Sequence, residues 1–233
     1  LLYQNLQSTS TNNAGENKPV AAEVGLGSRV AAITSTFTQG NLTHVENPFS
    51  VALEGDGFFQ IRTESGELQY TRDGSFEISP VANGNMLCTS DGNPVLDAYG
   101  NQIILPSNRV ATDLVVNQDG TLAFPDGTGN PAVITDANGR PVKFGIYQFN
   151  NPAGLSKEGS NNYSVTVASG AAVAENGNAA VKQTKTHQYY TEASNVDVAN
   201  EMVNLIVAQR AYEMNSKAIQ ASDEMMQQAN ALR

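Results

Sequence analysis

The chain has 233 residues, a net charge of −10 and only 15% charged residues. An acidic chain lacks the basic face that nucleic-acid binding needs, and the same charge argues against attachment to an anionic membrane surface. No apolar run approaches the ~20 residues of a membrane span, while a hydrophobic content of 40% predicts a folded core. We therefore expect neither nucleic acid nor membrane insertion, and one large domain or two small ones.

Residues 1–24 are polar and rich in Ser, Thr, Asn and Gln. This composition on its own favours a disordered leader. The chain opens at Leu1, without Met and without a signal peptide, so we expect it to be a fragment whose natural start has been removed.

Residues 25–190 carry the pattern of a β body. Strands are expected around Val51 and Leu53 and over 58–61, with Gly55-Asp56-Gly57 between them. Residues 68–78 alternate apolar and polar on both sides of Asp73-Gly74, which predicts a β-hairpin.

From there to about residue 178, Asp-Gly and Asn-Gly turns alternate with short β-prone pieces over 110–116, 132–135 and 144–149. The turns are at Asn83-Gly84, Asp91-Gly92, Asp119-Gly120, Asp126-Gly127, Asn138-Gly139 and Asn176-Gly177. Short strands between regular turns predict an antiparallel sandwich or barrel-like body, mainly β. Residues 168–190 are expected only to lead back to the C-terminal segment.

Residues 191–233 contain no Gly or Pro and consist largely of good helix formers. Ser194 followed by Asp197 fits a capping box, which predicts a helix from Ser194 onward. Such a helix would be ~50–60 Å long, too long to lie flat on the core that this chain could build.

The apolar residues of this predicted helix form a heptad seam, with large residues alternating with small ones. The seam consists of Leu205, Ala208, Tyr212, Asn215, Ile219, Ser222, Met226 and Ala229. Val203, Ile206, Val207 and Met214 lie off the seam, so the first half of the helix is apolar on several sides and needs more than one neighbour. Those neighbours must come from other molecules or from sequence outside these residues. The alternative is a terminal helix folded onto its own domain.

Motifs for catalysis or metal binding are weak. Cys88 is the one cysteine, so no internal disulfide can form, and neither His44 nor His187 stands in a motif with it. We expect a packed, inert thiol. Residues 54–59 lack the third Gly of a nucleotide loop, and residues 117–121 lack the ligand series of a calcium loop, so both predict turns. We expect no enzyme activity, no cofactor and no metal, with a hydrolase that uses an unrecognised acidic pair as a remote alternative.

Five segments carry a resemblance to a known family. Residues 192–228, EASNVDVANEMVNLIVAQRAYEMNSKAIQASDEMMQQ, resemble the C-terminal signature of the bacterial flagellar rod and hook family. QGNL at 39–42, VALEGDGFF at 51–59, YTRDGSF at 70–76 and FNNPAGL at 149–155 are similar to further motifs of that family. The matching body residues are Gly55, Gly57, Phe58, Phe59, Tyr70, Thr71, Arg72, Asp73, Gly74 and Phe76.

Within the family, the short body and the opening stretch are more similar to distal rod members than to hook members. A proximal rod or hook subunit is the nearest alternative, and a secreted β-domain binding module such as an adhesin is a more distant one. The residues do not include the family's N-terminal helix, the expected partner of 194–233. Tyr189-Tyr190 and Thr191 also replace the usual Gly-containing, apolar approach to the EASN motif.

The resemblance implies a structural subunit without enzyme activity. Its partners would be copies of itself, other rod and hook subunits, the flagellar type III export apparatus and the surrounding ring bushing. It would be exported without a cleaved signal and would polymerise helically into a hollow drive shaft across the periplasm. The expected domains are an extended rod-type stretch (1–24), a β-rich body (25–190) and a C-terminal assembly helix (191–233).

Overall fold

The computed structural model describes residues 3–7, 22–25, 34–126, 131–136, 138–178 and 180–231. The chain divides into two compact units, residues 1–36 and 37–233. In the first unit, β1 (Tyr3–Gln7) pairs antiparallel with β2 (Ala22–Gly25). The other residues of the predicted 1–24 stretch lie outside the described residues.

The second unit consists of short strands followed by one long helix. Its strands are β3 (Leu42–His44), β4 (Val51–Glu54), β5 (Phe58–Arg62), β6 (Leu68–Thr71), β7 (Glu77–Val81), β8 (Gly84–Cys88), β9 (Ile104–Leu105), β10 (Val115–Val116), β11 (Leu122–Pro125), β12 (Pro131–Val133), β13 (Ile146–Gln148), β14 (Ser156–Gly159), β15 (Asn162–Ser164), β16 (Val173–Ala174), β17 (Lys185–Gln188) and β18 (Tyr190–Glu192). The helix, α1, spans Val198–Ala231. The predicted fold class, mainly β with a long C-terminal helix, is confirmed.

The paired strands are antiparallel throughout the described residues. The largest sheet has the order β14-β15-β6-β5-β13-β16, and β7-β8-β9 and β10-β11-β12 form two three-stranded sheets. Two ribbons complete the unit: β17 pairs with β4, and β18 pairs with β3. These ribbons join the end of the body to residues about 130–150 positions earlier in the chain.

The core has two parts, separated by strand β5. Successive side chains of a strand point to opposite faces, so Phe58 and Phe59 enter different clusters. Phe59 packs edge-on against Phe76 and Phe144, with ring centroids 5.0 and 5.3 Å away. Phe58 packs against Phe149 on the other face, at 5.5 Å. The paired Phe residues of the GDGFF motif therefore hold both faces of the central strand.

The predicted hairpin over residues 68–78 is wrong. Strand β6 pairs with β5 and β15, and β7 pairs with β8, so the chain passes from one sheet to another at Asp73-Gly74. The Asp73 carboxylate accepts a hydrogen bond from the backbone N–H of Ser75 at 3.0 Å, and the carbonyl of Gly74 accepts one from the backbone N–H of Val51 at 3.0 Å. That contact with β4 holds Gly74 and separates the two strands.

Several other predicted turns are confirmed. Residues Ala82-Asn83 connect β7 to β8, and the Asp119-Gly120 turn connects β10 to β11. The β-prone piece at 110–116 is only partly a strand, because Ala111–Asp113 forms a 3₁₀ turn before β10. Residues 168–190 also form more structure than predicted, since β16 and β17 lie there and β18 begins at Tyr190.

Candidate assembly surface

The C-terminal helix is capped three residues later in the chain than predicted. Asp197, and not Ser194, caps it: one carboxylate oxygen accepts from the backbone N–H of Ala199 at 3.0 Å, and the other accepts from Asn200 Nδ2 at 2.7 Å. The Ser194 hydroxyl instead accepts a hydrogen bond from the backbone N–H of Val196 at 3.3 Å. An aspartate cap satisfies free N–H groups and complements the positive end of the helix dipole.

None of the 34 residues of α1 is buried. Along the predicted seam, the side chains of Tyr212 and Ile219 are 78% and 64% exposed. The other seam residues, Leu205, Ala208, Asn215, Ser222, Met226 and Ala229, are exposed as well, and so are Val203 and Ile206 off the seam. Soluble monomers rarely expose so continuous an apolar surface, which is typical of an interaction site.

A second apolar stripe runs along the same helix. It consists of Val203, Val207, Met214, Ala218, Ala221 and Met225. With 3.6 residues per turn, its centre lies roughly 110° around the helix from the centre of the seam. Charged and amide side chains such as Arg210, Glu213 and Gln220 occupy much of the remaining side. Two stripes at this angle can each receive a different neighbouring helix.

No second α-helix covers either stripe within the described parts of the chain. Among the same residues, no helix is long and apolar enough to cross a lipid bilayer. Charged side chains interrupt the apolar surface of α1 at Glu201 and again from Arg210 onward.

The body motifs meet where the helix leaves the body. Arg72, from the YTRDGSF motif, donates from Nε to Oε2 of Glu192 at 2.8 Å and from Nη1 to the carbonyl of Gly57 at 3.1 Å. Its guanidinium carbon lies 5.8 Å from the centre of the Phe58 ring. The structure thus brings together residues of three separate motifs, although their functional role was not evident from spacing.

The remaining candidate residues of the body are structural. Tyr70 is buried in the second core cluster and Phe76 in the first. The hydroxyl of Thr71 donates to the carbonyl of Asn161 at 3.0 Å, and Asp73 accepts from the side chain of the same residue at 3.3 Å. Gly55 has a φ of +139°, which favours glycine. These residues hold the loop that presents Arg72.

Sequence reasoning missed a buried polar contact beside Gly57. Glu175, which is buried, accepts hydrogen bonds from the hydroxyl and the backbone N–H of Thr184 at 2.6 and 2.7 Å, and from Gln148 Nε2 at 2.8 Å. A Cβ atom on Gly57 would come within 3.0 Å of the Glu175 carboxylate and 2.5 Å of Ile146 Cγ2. Only glycine fits between these groups.

The weaker chemical candidates form ordinary contacts. Cys88 is buried, and burial raises the pKa of its thiol above the ordinary value. In the 117–121 turn, burial alone would raise the pKa of Asp119, but hydrogen bonds from the hydroxyl and N–H of Thr121 lower it. Residues 117–121 are thus tied together by their own hydrogen bonds as a β-turn.

One exposed pair involves a histidine. His187 Nε2 lies 2.7 Å from Oε2 of Glu54, across the β17–β4 ribbon. The hydrogen bond from His187 lowers the pKa of Glu54 below its ordinary value. In the described part of the chain, no cluster of three or more His, Cys, Asp or Glu side chains could hold a metal ion.

Comparison with known sequences gives two family matches. Residues 187–232 match the family described as flagellar basal body rod FlgEFG protein C-terminal, and residues 52–124 match the one described as flagellar hook protein FlgE/F/G D1 domain. The first match covers the helix and its approach, and the second covers the motifs that surround Arg72.

Individual relatives are similar over almost the whole chain. The flagellar basal-body rod protein FlgG of Borreliella burgdorferi is 38% identical, over 100% of this chain and 83% of its own length. The protein of that name from Buchnera aphidicola (strain APS) is 35% identical, over 100% and 84%. The one from Bacillus subtilis is 35% identical, over 88% of this chain and 73% of its own length.

Proposed function

The chain belongs to the flagellar basal-body rod protein family as a structural subunit of the distal rod, and we propose that α1 is the element that joins its copies. The observation that supports this proposal is the uncovered apolar surface along all 34 residues of the helix. A surface of that extent stabilises an assembly once a neighbouring helix removes it from water.

The two stripes favour a tube over a simple dimer. A helix with a single seam is satisfied by one partner, whereas two seams on different sides need two. When the same two patches of every copy engage in a head-to-tail manner, the assembly continues into a ring or an open helix. The small seam residues Ala208, Ser222 and Ala229 would let neighbouring helices approach closely.

The wider setting of the subunit is also part of the proposal. As a basal-body rod component it contacts copies of itself and other rod and hook subunits. We infer that it reaches the periplasm through the flagellar export apparatus, without a cleaved signal, and that its β body faces the surrounding ring bushing. A chain with one cysteine needs no disulfide chemistry on that route. The role is mechanical, so we assign it no catalytic activity and no cofactor.

Sedimentation velocity and electron microscopy of the purified chain test this proposal. We expect oligomers and tubes at rising protein concentration for the unaltered chain. The double variant Leu205→Glu/Ile219→Glu puts two charges on the seam and should remain monomeric. The matched control, Gln209→Glu/Gln220→Glu, adds the same two charges to the polar side and should assemble.

Two results would contradict the assignment of the helix. One is a seam variant that assembles as well as the control. The other is strong hydrogen-exchange protection over residues 198–231 in a proven monomer, because an uncovered helix without partners opens readily.

A further inference from the structure

Two segments that are far apart in the chain converge on the carboxylate of Glu192. Its Oε1 accepts a hydrogen bond from the backbone N–H of Gly40 at 2.8 Å and a longer one from Arg72 Nη2 at 3.4 Å. Its Oε2 accepts from Arg72 Nε at 2.8 Å. The same guanidinium reaches the carbonyl of Gly57, so one arginine ties the strand that precedes the helix to the central sheet.

The ion pair is shielded from solvent. The side chains of Arg72 and Glu192 are only 14% and 15% exposed. A fork-shaped guanidinium that holds a carboxylate through two nitrogens fixes direction as well as distance. In contrast, the ion pair between Arg140 and Asp136 has a similar two-nitrogen geometry but lies on the surface of the body, where Arg140 is 41% exposed.

Close packing adds to the constraint at this point. A Cβ atom on Gly40 would come within 1.9 Å of the carbonyl oxygen of Ala193, so the chain just before β3 and the chain just after β18 lie in direct backbone contact. The backbone N–H of Ala193 donates to the carbonyl of Asn41 at 2.9 Å, and Asn195 Nδ2 donates to the carbonyl of Thr38 at 2.9 Å. The chain is therefore held up to Asn195, and α1 begins at Val198.

We propose that Arg72 is a positioning residue that acts through Glu192 to fix the direction in which α1 leaves the β body. We call these contacts the joint: Arg72 with Glu192 and with the carbonyl of Gly57, and Gly40 with Glu192. This role of the joint rests on the proposed function, because a rod subunit must transmit torque between the helix and the body. A body that could swivel on its helix would absorb that force.

The test measures how widely the position of α1 varies relative to the β body in single, unassembled subunits. Spin labels are placed on cysteines substituted at Glu64, an exposed residue of the β5–β6 turn, and at Glu201, in the first turn of α1. As a control, the same labelling reaction on the unaltered protein shows whether the buried Cys88 also takes up label. Double electron–electron resonance spectroscopy then gives the distribution of distances between the two labels. A well-defined joint gives a narrow distribution.

The expected effect of Arg72→Gln is a distribution roughly twice as wide, because the amide cannot bridge Glu192 and Gly57. Arg140→Gln is the matched control: it removes the surface pair with Asp136 and should leave the width unchanged. Arg72→Lys keeps the positive charge but lacks the fork-shaped guanidinium, so its distance distribution should have a width between those of the other two variants. Should Arg72→Gln unfold the body, Glu192→Gln replaces it, since that amide can still accept from Gly40 while the charge is lost.

An unchanged width in Arg72→Gln, or equal broadening in Arg140→Gln, would overturn the assignment of the joint. The distances are measured in single subunits, so the result does not depend on assembly. Suppose the chain never polymerises but Arg72→Gln still broadens the distribution as expected. That result would contradict the proposed function and would still support the role of Arg72 in the joint.

Discussion

The ring of Tyr189 stacks on that of His44, with centroids 6.4 Å apart and planes at 20°, while the backbone of Tyr189 lies in the left-handed region at φ +64°. This conformation is unfavourable for a bulky side chain and costs about 1–2 kcal/mol. It persists because the backbone N–H of Tyr189 donates to the carbonyl of Ser50, and its own carbonyl accepts from the N–H of Val45. The strain marks the kink between β17 and β18.

Replacing Tyr189 separates the strain from the ring contact. Tyr189→Gly loses the stacking but removes the backbone penalty, whereas Tyr189→Ala loses the stacking and keeps the penalty. We expect the glycine variant to be more stable than the alanine variant by about 1 kcal/mol, as measured by urea unfolding of the monomer. Equal stabilities would mean that the kink is not strained.

Gly74→Ala, at the one glycine of the YTRDGSF motif, should be strongly destabilising. The added Cβ would lie 1.7 Å from the carbonyl oxygen of Val51, in a backbone that cannot move aside without breaking the contact with β4. We expect a loss of about 3 kcal/mol in the free energy of unfolding. Gly66→Ala is the control: its φ is +86° but nothing lies within 4 Å, so about 1 kcal/mol is expected. Similar losses in the two variants would count against crowding at Gly74.

Ala208→Leu tests close helix packing on the seam. The larger side chain would hold the neighbouring helix away, so cells carrying this variant should lose swimming motility in soft agar. Ala229→Leu should do the same from the other end of the helix. Gln209→Leu adds an identical side chain on the polar side and should swim normally. Normal swimming of the Ala208→Leu strain would show that no helix packs tightly there.

The Glu54–His187 pair predicts a dependence of stability on acid. The hydrogen bond from His187 lowers the pKa of Glu54 in the folded state, so the unfolded chain binds more protons in acid. The contribution of Glu54 is complete above its unfolded pKa of about 4.3 and is lost as the pH falls through the lowered folded value.

Urea unfolding between about pH 6 and pH 3 measures this contribution. The stability advantage of the unaltered protein over Glu54→Gln should shrink toward the acid end of the range. Glu158→Gln, on the exposed strand β14, is the control and should not reproduce that trend. A constant advantage over Glu54→Gln at every pH would show that the pair with His187 does not stabilise the fold.

Local sequence signals predicted much of this structure. The helix was evident from its composition and from 34 residues without Gly or Pro, and most turns follow from Asp-Gly and Asn-Gly pairs that need no distant partner. The start of the helix was misplaced because Ser194 and Asp197 are both good caps, and only the hydrogen bonds of Asp197 decide between them.

Contacts between distant segments could not be predicted in this way. Strand β17 reads Lys-Thr-His-Gln and shows no apolar pattern, yet Thr186 is buried and its hydroxyl donates to the carbonyl of Asn117 at 2.6 Å. Likewise, Arg72 and Glu192 each stand in a recognisable motif, but their pairing across 120 positions depends on the whole fold. The Asp73-Gly74 hairpin failed for the same reason, since a contact with Val51 overrides the local turn signal.

Pairing of β4 with β17 also sets when the fold of the body can be completed. Val51, in the first quarter of the sequence, pairs with Gln188, so this ribbon cannot form until Gln188 is available. A chain delivered amino end first therefore stays incomplete until almost its last segment emerges, since closing so large a loop must precede any gain from the contact.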